Sequence, residues 1–180
     1  MNQWFYIKKI NIMLGDELNN MLSIFKKNRS KTSIHAFVSG KVIPIVEVND
    51  PVFSSKVLGD GLAIYPNDGL IVSPCNGEIS LTMDDSKHAV GLKLSNGMDI
   101  LLHVGIETVS LNGEGFDLFV KKGDKVKKGD KLISFDKDLI KSRGLQDVVI
   151  MAITNYESYK NIKYFTNCDA IINESIIVEV

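Results

Sequence analysis

Two histidines carry the most chemically informative pattern in this chain. His88 and His103 flank a segment whose centre holds the dipeptide Asn96-Gly97. Asn-Gly is the preferred centre of a two-residue hairpin turn, so the segment predicts two antiparallel strands. In that register His88 faces Gly105 and becomes a diagonal neighbour of His103 on the same side of the sheet. We therefore expect the two imidazoles to converge, although one bulged residue would send them to opposite faces.

Two neighbouring imidazoles are compatible with several chemistries. The pKa of histidine lies near 6.5, so at pH 7 a neutral ring nitrogen of His103 can attack phosphorus and form a phosphohistidine. The imidazole of His88 would then donate a hydrogen bond to a phosphoryl oxygen, which suits a reaction that needs positioning and charge stabilisation. The same pair would also supply half of a tetrahedral zinc site. A structural role is the third alternative. The remaining histidine, His35, has no predicted place near the pair.

The composition bounds the class of protein. A chain of 180 residues with 44% hydrophobic residues fits one globular domain, or one domain with a tail. Its net charge of −1 provides no overall field for nucleic acid, and no nucleic-acid partner is expected. Cys75 and Cys168 lack the spacing of a metal site and are predicted to be free thiols. Since we find no signal peptide and no apolar run of about twenty residues, we expect a cytoplasmic protein with at most peripheral membrane contact.

The chain changes character near residue 33. Residues 1–33 place apolar side chains at near-helical spacing ahead of a basic stretch, and are interpreted as an N-terminal extension that is either flexible or an amphipathic helix. Within 34–180, turn-forming residues separate short runs of Val, Ile, Leu and Phe. This pattern predicts an all-β fold, an antiparallel β-sandwich or barrel of many short strands. Short helical turns are expected at Lys137–Arg143 and at Ser158–Lys163.

The residues around His103 resemble a known family signature. The stretch Leu102–Phe116 is similar to the active-site signature of the glucose-type enzyme IIA (EIIA) components of the bacterial phosphoenolpyruvate:sugar phosphotransferase system. Three further segments match the family in the same order, and they are Gly59–Pro66, Val72–Ile79 and Lys87–Ala89. The resemblance extends over residues 34–180, which are interpreted as one EIIA domain.

This resemblance implies both a fold and a function. Members fold as antiparallel β-sandwiches. The histidine matching His103 accepts a phosphoryl group on Nε2 from the phosphocarrier protein HPr and passes it to a cysteine of the IIB domain of a sugar permease, while the one matching His88 supports the transfer. No cofactor is required. In some members the two histidines complete a zinc site with a partner's carboxylate, and regulatory target proteins bind. The apolar docking face expected around the histidines consists here of Val52, Phe53, Val57, Leu58 and Leu101.

Several positions depart from the family pattern. Glu107 stands where members often have Asp, and Lys87 where they often have Asn, so Lys87 adds a positive charge that we expect to be solvated. Met83, Val90 and Leu101 stand in a region where the familiar enterobacterial members carry phenylalanines. The less aromatic docking face weakens the expectation of regulatory binding more than the expectation of phosphoryl transfer.

Two other functions remain open at this level. A non-catalytic regulatory protein could use the same face for binding alone. A lipoyl- or biotinyl-like carrier domain is suggested by the repeated Lys-Lys-Gly-Asp-Lys of residues 121–132, although the Met or Asp-Ala neighbours of a modified lysine are absent. We interpret this repeat as two solvent-facing turns around one short strand. A zinc peptidase would need more ligands than three histidines supply.

Overall fold

The computed structural model describes residues 32–180, which form short strands and a few helical turns. Two short α-helices, α1 (Pro51–Ser54) and α2 (Lys137–Ser142), and 3-10 turns at Ile45–Glu47, Thr108–Leu111 and Tyr156–Ser158 lie between the strands. The strands within this part of the chain are β1 (Ser33–His35), β2 (Gly40–Pro44), β3 (Asp60–Pro66), β4 (Leu70–Val72), β5 (Gly77–Thr82), β6 (Ala89–Lys93), β7 (Asp99–Ile106), β8 (Phe116–Leu118), β9 (Lys125–Val126), β10 (Lys131–Phe135), β11 (Gln146–Ile153), β12 (Lys163–Tyr164), β13 (Cys168–Ala170) and β14 (Ile176–Glu179).

These strands pair into three antiparallel sheets. The largest sheet has the order β13-β2-β3-β11-β7-β6-β5-β9, and two three-stranded sheets have the orders β4-β10-β8 and β1-β14-β12. One apolar cluster draws buried residues from all three sheets, so the small sheets pack against one face of the large one. The predicted antiparallel β-sandwich is confirmed. The barrel alternative is not realised, because each sheet found in residues 32–180 is an open row of strands.

The large sheet is buried on both faces at its centre. In β7, Leu102 and Val104 belong to the main apolar cluster, and the neighbouring strand β11 adds Met151 to it. The other face carries a smaller cluster that includes Ile150 of β11, and Ile150 lies directly opposite His103. Since side chains alternate along a strand, His103 points to the face of this smaller cluster.

Two of the local predictions hold and one does not. The helix predicted at residues 137–143 is α2, and the carboxylate of Asp136 caps it by accepting from the Leu139 amide at 2.9 Å. The helical turn predicted at Ser158–Lys163 is wrong, because the 3-10 turn ends at Ser158 and Lys163 begins β12. The two lysine-rich turns around one short strand are confirmed, with β9 as that strand.

Helix α1 was not predicted from the sequence. The carboxylate of Asp50 accepts from the amides of Val52 and Phe53 at 2.8 and 3.1 Å, and Pro51 occupies the first helical position. An Asp-Pro pair begins a turn as readily as a helix, and four residues carry no periodicity that would separate the two.

Other predictions concern thiols and membranes. Cys75 is buried and Cys168 is exposed, and both are free thiols as predicted. Within the described range, no helix combines the length and the hydropathy needed to cross a membrane. The prediction of an N-terminal extension, flexible or helical, lies outside the described residues.

Candidate functional site

The hairpin that carries the histidines has a longer loop than predicted. Strands β6 and β7 pair so that Ala89 lies directly opposite His103, where a two-residue turn would have placed Val90. The loop contains three residues and ends at Gly97, whose φ of +88° marks a type I turn followed by a bulge in place of the predicted two-residue turn. The predicted pairing of His88 with Gly105 is therefore wrong by one residue.

The two imidazoles converge in spite of this shift. The ring centroids of His88 and His103 lie 4.6 Å apart, and the rings meet edge to face at 82°. His88 stands just before β6, and the preceding residue, Lys87, has a left-handed φ of +56°. Because the chain turns there, the strict alternation of β6 does not extend to His88. The predicted convergence is confirmed, and the cause is this turn into the strand.

His103 presents a neutral imidazole. Its side chain is partly exposed, its Nδ1 is buried, and no group within residues 32–180 forms a hydrogen bond with that nitrogen. Burial and, next, the neighbouring His88 lower the pKa of His103 to about 4, while the Gly105 backbone and the Asp50 carboxylate offset only part of this shift. The ring is thus uncharged at pH 7. Since Nδ1 is enclosed, Nε2 is the nitrogen left for attack.

The ring of His88 is held in place. The side chain is only 5% exposed, and its Nδ1 lies 2.7 Å from the Oγ of Ser86, which is also buried. Burial lowers the pKa of His88. When the Ser86 hydroxyl donates to Nδ1, the tautomer has its proton on Nε2, where it can be donated to a phosphoryl oxygen. Sequence reasoning missed Ser86, and the only indication was a hydroxyl two residues before a histidine.

The segment after His103 explains much of the sequence signature. Gly105 has a φ of +76°, and a Cβ there would lie 2.2 Å from the Thr108 side chain. Thr108 in turn donates from Oγ1 to the Val104 carbonyl at 2.5 Å. A glycine followed three residues later by a threonine therefore closes the end of β7 tightly, directly beside the imidazole.

Comparison with known proteins decides the family. A model of the family described as "phosphoenolpyruvate-dependent sugar phosphotransferase system, EIIA 1" matches residues 32–159. The chain belongs to this family. EIIA proteins are phosphocarrier components of the sugar phosphotransferase system, so the function indicated by the sequence is confirmed at that level, and a lipoyl- or biotinyl-like carrier is not supported.

Individual relatives agree with this assignment. The chain is 42% identical over 151 residues to the "PTS system glucose-specific EIIA component" of Bacillus anthracis, covering 84% of this chain and 91% of that protein. It is 46% identical over 134 residues to the protein of the same name from Bacillus cereus, covering 74% and 81%. The solved structure titled glucose permease IIA from Mycoplasma capricolum superposes with a TM-score of 0.73 at 30% identity, over 84% of this chain and 96% of that one.

The predicted docking face needs one correction. Val52, Val57 and Leu58 have exposed side chains, and Leu101 is partly exposed two residues from His103 on the same face of β7. Phe53 is only 5% exposed, so the expectation that it forms part of the surface is wrong. Its ring instead packs against the His103 imidazole, with centroids 5.0 Å apart at 62°. Val46, which the sequence did not single out, is also exposed beside this region.

The two charged departures from the EIIA pattern share a backbone conformation. Lys87 and Glu107 both have left-handed φ values, +56° and +60°. Asn and Asp tolerate this conformation better than longer side chains, which fits the residues that the resemblance gives for these two positions. The expectation that Lys87 is simply solvated is wrong, because its Nζ donates to the Phe116 carbonyl at 3.3 Å.

Metal and thiol chemistry find little support elsewhere. The described residues contain no group of three or more His, Cys, Asp or Glu side chains that could hold a metal ion. His88 and His103 alone supply two imidazoles, half of what zinc requires. His35 lies in β1 of a small sheet, and burial raises the pKa of the Cys75 thiol to about 12, which keeps it protonated.

Proposed function

We propose that His103 accepts a phosphoryl group from phosphorylated HPr and donates it to a cysteine in the IIB domain of a sugar permease. The observation that carries this proposal is a neutral, partly exposed imidazole with a second, buried imidazole 4.6 Å away. The names of the relatives support glucose as the sugar.

The transfer consists of two displacements at phosphorus. The Nε2 lone pair of His103 attacks, a phosphorus–nitrogen bond forms, and the bond from phosphorus to its donor breaks with its electron pair leaving on HPr. In the second step the thiolate of the IIB domain attacks the same phosphorus and His103 leaves. A pKa of about 4 means that His103 needs no base to become nucleophilic at pH 7.

His88 supports both steps from a fixed position. The ring is neutral before the phosphoryl group arrives, because burial lowers its pKa. It therefore contributes a hydrogen bond to a phosphoryl oxygen, and the negative charge of that group then favours protonation of the ring. The hydroxyl of Ser86 at 2.7 Å sets the ring orientation in advance, so no reorganisation is needed during transfer.

The apolar residues around His103 are the proposed contact for partner proteins. Val46, Val52, Val57 and Leu58 are exposed next to a buried cluster that contains Phe53. An exposed apolar margin around a reactive group suits successive docking of HPr, the IIB domain and any regulatory target, since each would exclude water from the transfer.

A phosphotransfer assay tests this function. Incubation with phosphoenolpyruvate, enzyme I and HPr should label the protein at His103, and the label should be lost in acid as expected of a phosphoramidate. His103→Ala should take up no label, whereas His35→Gln, a histidine in β1 away from the pair, should be labelled at the normal rate. Labelling of the His103 variant would contradict the proposal.

We also propose that the pair can hold a zinc ion together with a partner's carboxylate. The donor set fits, because the Nδ1 of His88 faces Ser86 and leaves Nε2 free, as it is in His103. Zinc would cross-link two surfaces and would supply no step of the transfer. Calorimetry should detect weak zinc binding by the protein alone and none by the His88→Gln variant; equal binding by both proteins would contradict this role.

A further inference from the structure

Residues 121–131 form a cationic segment at the edge of the large sheet. These eleven residues contain six of the chain's 21 Lys and Arg residues, against two aspartates. All six lysines are exposed, and β9 within the segment is the last strand of its sheet. The lysines are Lys121, Lys122, Lys125, Lys127, Lys128 and Lys131.

The aspartates of the segment serve the backbone of its two turns. The carboxylate of Asp124 accepts from the Lys121 amide at 3.0 Å, and that of Asp130 accepts from the Lys127 amide at 2.7 Å. Each turn closes through a glycine with nearly the same φ, +92° and +93°. The two turns are thus two copies of one structure, and each is built to display its lysines.

The lysine charges are left largely uncompensated. None of the six forms an ion pair in the part of the chain that the structure describes. Lys128 donates to the Asn173 carbonyl at 3.2 Å, which is a neutral acceptor. Only Lys125 has an acidic neighbour in the strand pairing, Glu78 on β5.

An exposed aromatic side chain lies just before this cationic segment. Phe119 precedes the first turn and is half exposed, and the ammonium group of Lys131 lies 5.9 Å from its ring centroid. The segment has no arginine, so it lacks the planar guanidinium group that binds two phosphate oxygens or two base atoms at once. Hydrated lysines around a protruding ring fit a diffuse anionic surface that the ring can enter.

We propose that these two lysine turns dock the protein on a membrane surface that contains anionic lipid headgroups. Between β9 and β7 lie two strands, so the turns are about 14 Å from the histidine strand across the sheet. His103 also lies four residues along β7 from Asp99, which is the end of β7 nearest to β9. Docking through the turns therefore leaves the His103 face open to partner proteins.

The advantage to a phosphocarrier is a higher local concentration near a membrane-bound acceptor. The proposal does not depend on phosphoryl transfer, because it concerns the charge and exposure of a separate surface. Vesicle binding and labelling by HPr are independent measurements, so the failure of one leaves the other intact.

Vesicle co-sedimentation of the full chain tests this proposal. The protein should bind vesicles of phosphatidylcholine with about one third phosphatidylglycerol, not vesicles of phosphatidylcholine alone, and higher salt should weaken binding. The turn variant replaces Lys121, Lys122 and Lys127 by Gln, since these exposed side chains form no hydrogen bond or ion pair within residues 32–180 that the fold would lose. It should lower the partition coefficient by about tenfold or more.

A matched control variant replaces Lys41, Lys160 and Lys163, three exposed lysines elsewhere, by Gln. It makes the same change in net charge and should lower the partition coefficient by less than about threefold. Residues 1–33 are unchanged in every variant, so any contribution they make cancels in the comparison. Both variants should keep the thermal midpoint and the labelling rate of the parent protein.

Three results would overturn the proposal. The first is full retention of vesicle binding by the turn variant, and the second is an equal loss in the two variants. The third is a turn variant that loses binding to a fluorescent oligothymidine and keeps binding to vesicles, which would assign the turns to nucleic acid. A further loss of vesicle binding in Phe119→Ser would support insertion of the ring.

Discussion

The regions around His103 and His35 look alike by the measures most often used to find a site. In both, the Nδ1 of a histidine is buried without a hydrogen-bond partner in the described residues, and burial is the main cause that lowers the pKa. The difference is in what adjoins the ring. His103 meets the imidazole of His88 and the ring of Phe53, whereas Lys128 is the charge that acts on His35. A histidine with a lowered pKa is thus common to both regions. Only the His103 region combines it with a second imidazole and an exposed apolar margin.

Replacing His88 should separate the two regions most clearly. In His88→Gln, His103 should still accept the phosphoryl group from HPr, but donation to the IIB domain should slow by about two orders of magnitude, the cost of losing one placed donor in a transition state. His35→Gln should donate at the parent rate. Rapid-quench measurement of transfer to the IIB domain gives both values, and equal rates for the two variants would remove His88 from the mechanism.

The pH dependence of stability gives a second comparison. The pKa of His103 falls from 6.5 in the unfolded chain to about 4 in the folded protein, so the unfolded state binds the proton more readily. Its effect on stability is absent above pH 6.5 and grows as the pH falls toward 4, where it reaches about 3 kcal/mol of destabilisation.

Denaturant titrations between pH 7 and 4 should therefore show a shallower loss of stability in His103→Gln than in the parent protein. His35→Gln should also reduce the slope, because burial lowers the pKa of His35 as well. Identical slopes for the parent and His103→Gln would mean that the ring is not desolvated as the structure indicates.

The sequence predicted the histidine pair better than it predicted the geometry that forms it. The Asn96-Gly97 dipeptide correctly placed a hairpin between the two histidines, because turn chemistry is local. It did not distinguish a two-residue from a three-residue loop, since Gly97 suits the left-handed position of either. The contact between the two imidazoles then depends on the left-handed backbone conformation of Lys87. Nothing in the sequence predicts that conformation, because lysine rarely adopts it.

Long-range packing determines which residues of helix α1 are buried, and the sequence did not predict this. Phe53 and Val52 are neighbours in one short helix, yet one is buried against His103 and the other is exposed. A four-residue helix has too few positions to define a face, so tertiary contact decides which residue is covered. Strand spacing, by contrast, repeats along the whole domain, which is why the antiparallel sandwich could be predicted.

A smaller effect is expected from the hydroxyl that orients the second imidazole. Ser86→Ala removes the 2.7 Å contact with Nδ1 of His88 and should slow donation to the IIB domain by about tenfold, the equivalent of one hydrogen bond. Ser86→Thr should restore most of the rate, because it keeps the hydroxyl. Ser110→Ala, an exposed serine just beyond β7, is the control. Unchanged donation in Ser86→Ala would show that packing alone holds the His88 ring.

The smallest effect concerns the turn that brings His88 to His103. Lys87 has a left-handed φ of +56°, which Asn tolerates better, so Lys87→Asn should raise the free energy of unfolding by about 0.5–1 kcal/mol. The gain is net of the lost contact between Nζ and the Phe116 carbonyl. Lys87→Val loses the same contact but adds a β-branch, and should destabilise by more than about 1 kcal/mol. If the denaturant midpoints of both variants fall below that of the parent protein, the ammonium contact, and not the backbone conformation, dominates the stability of this turn.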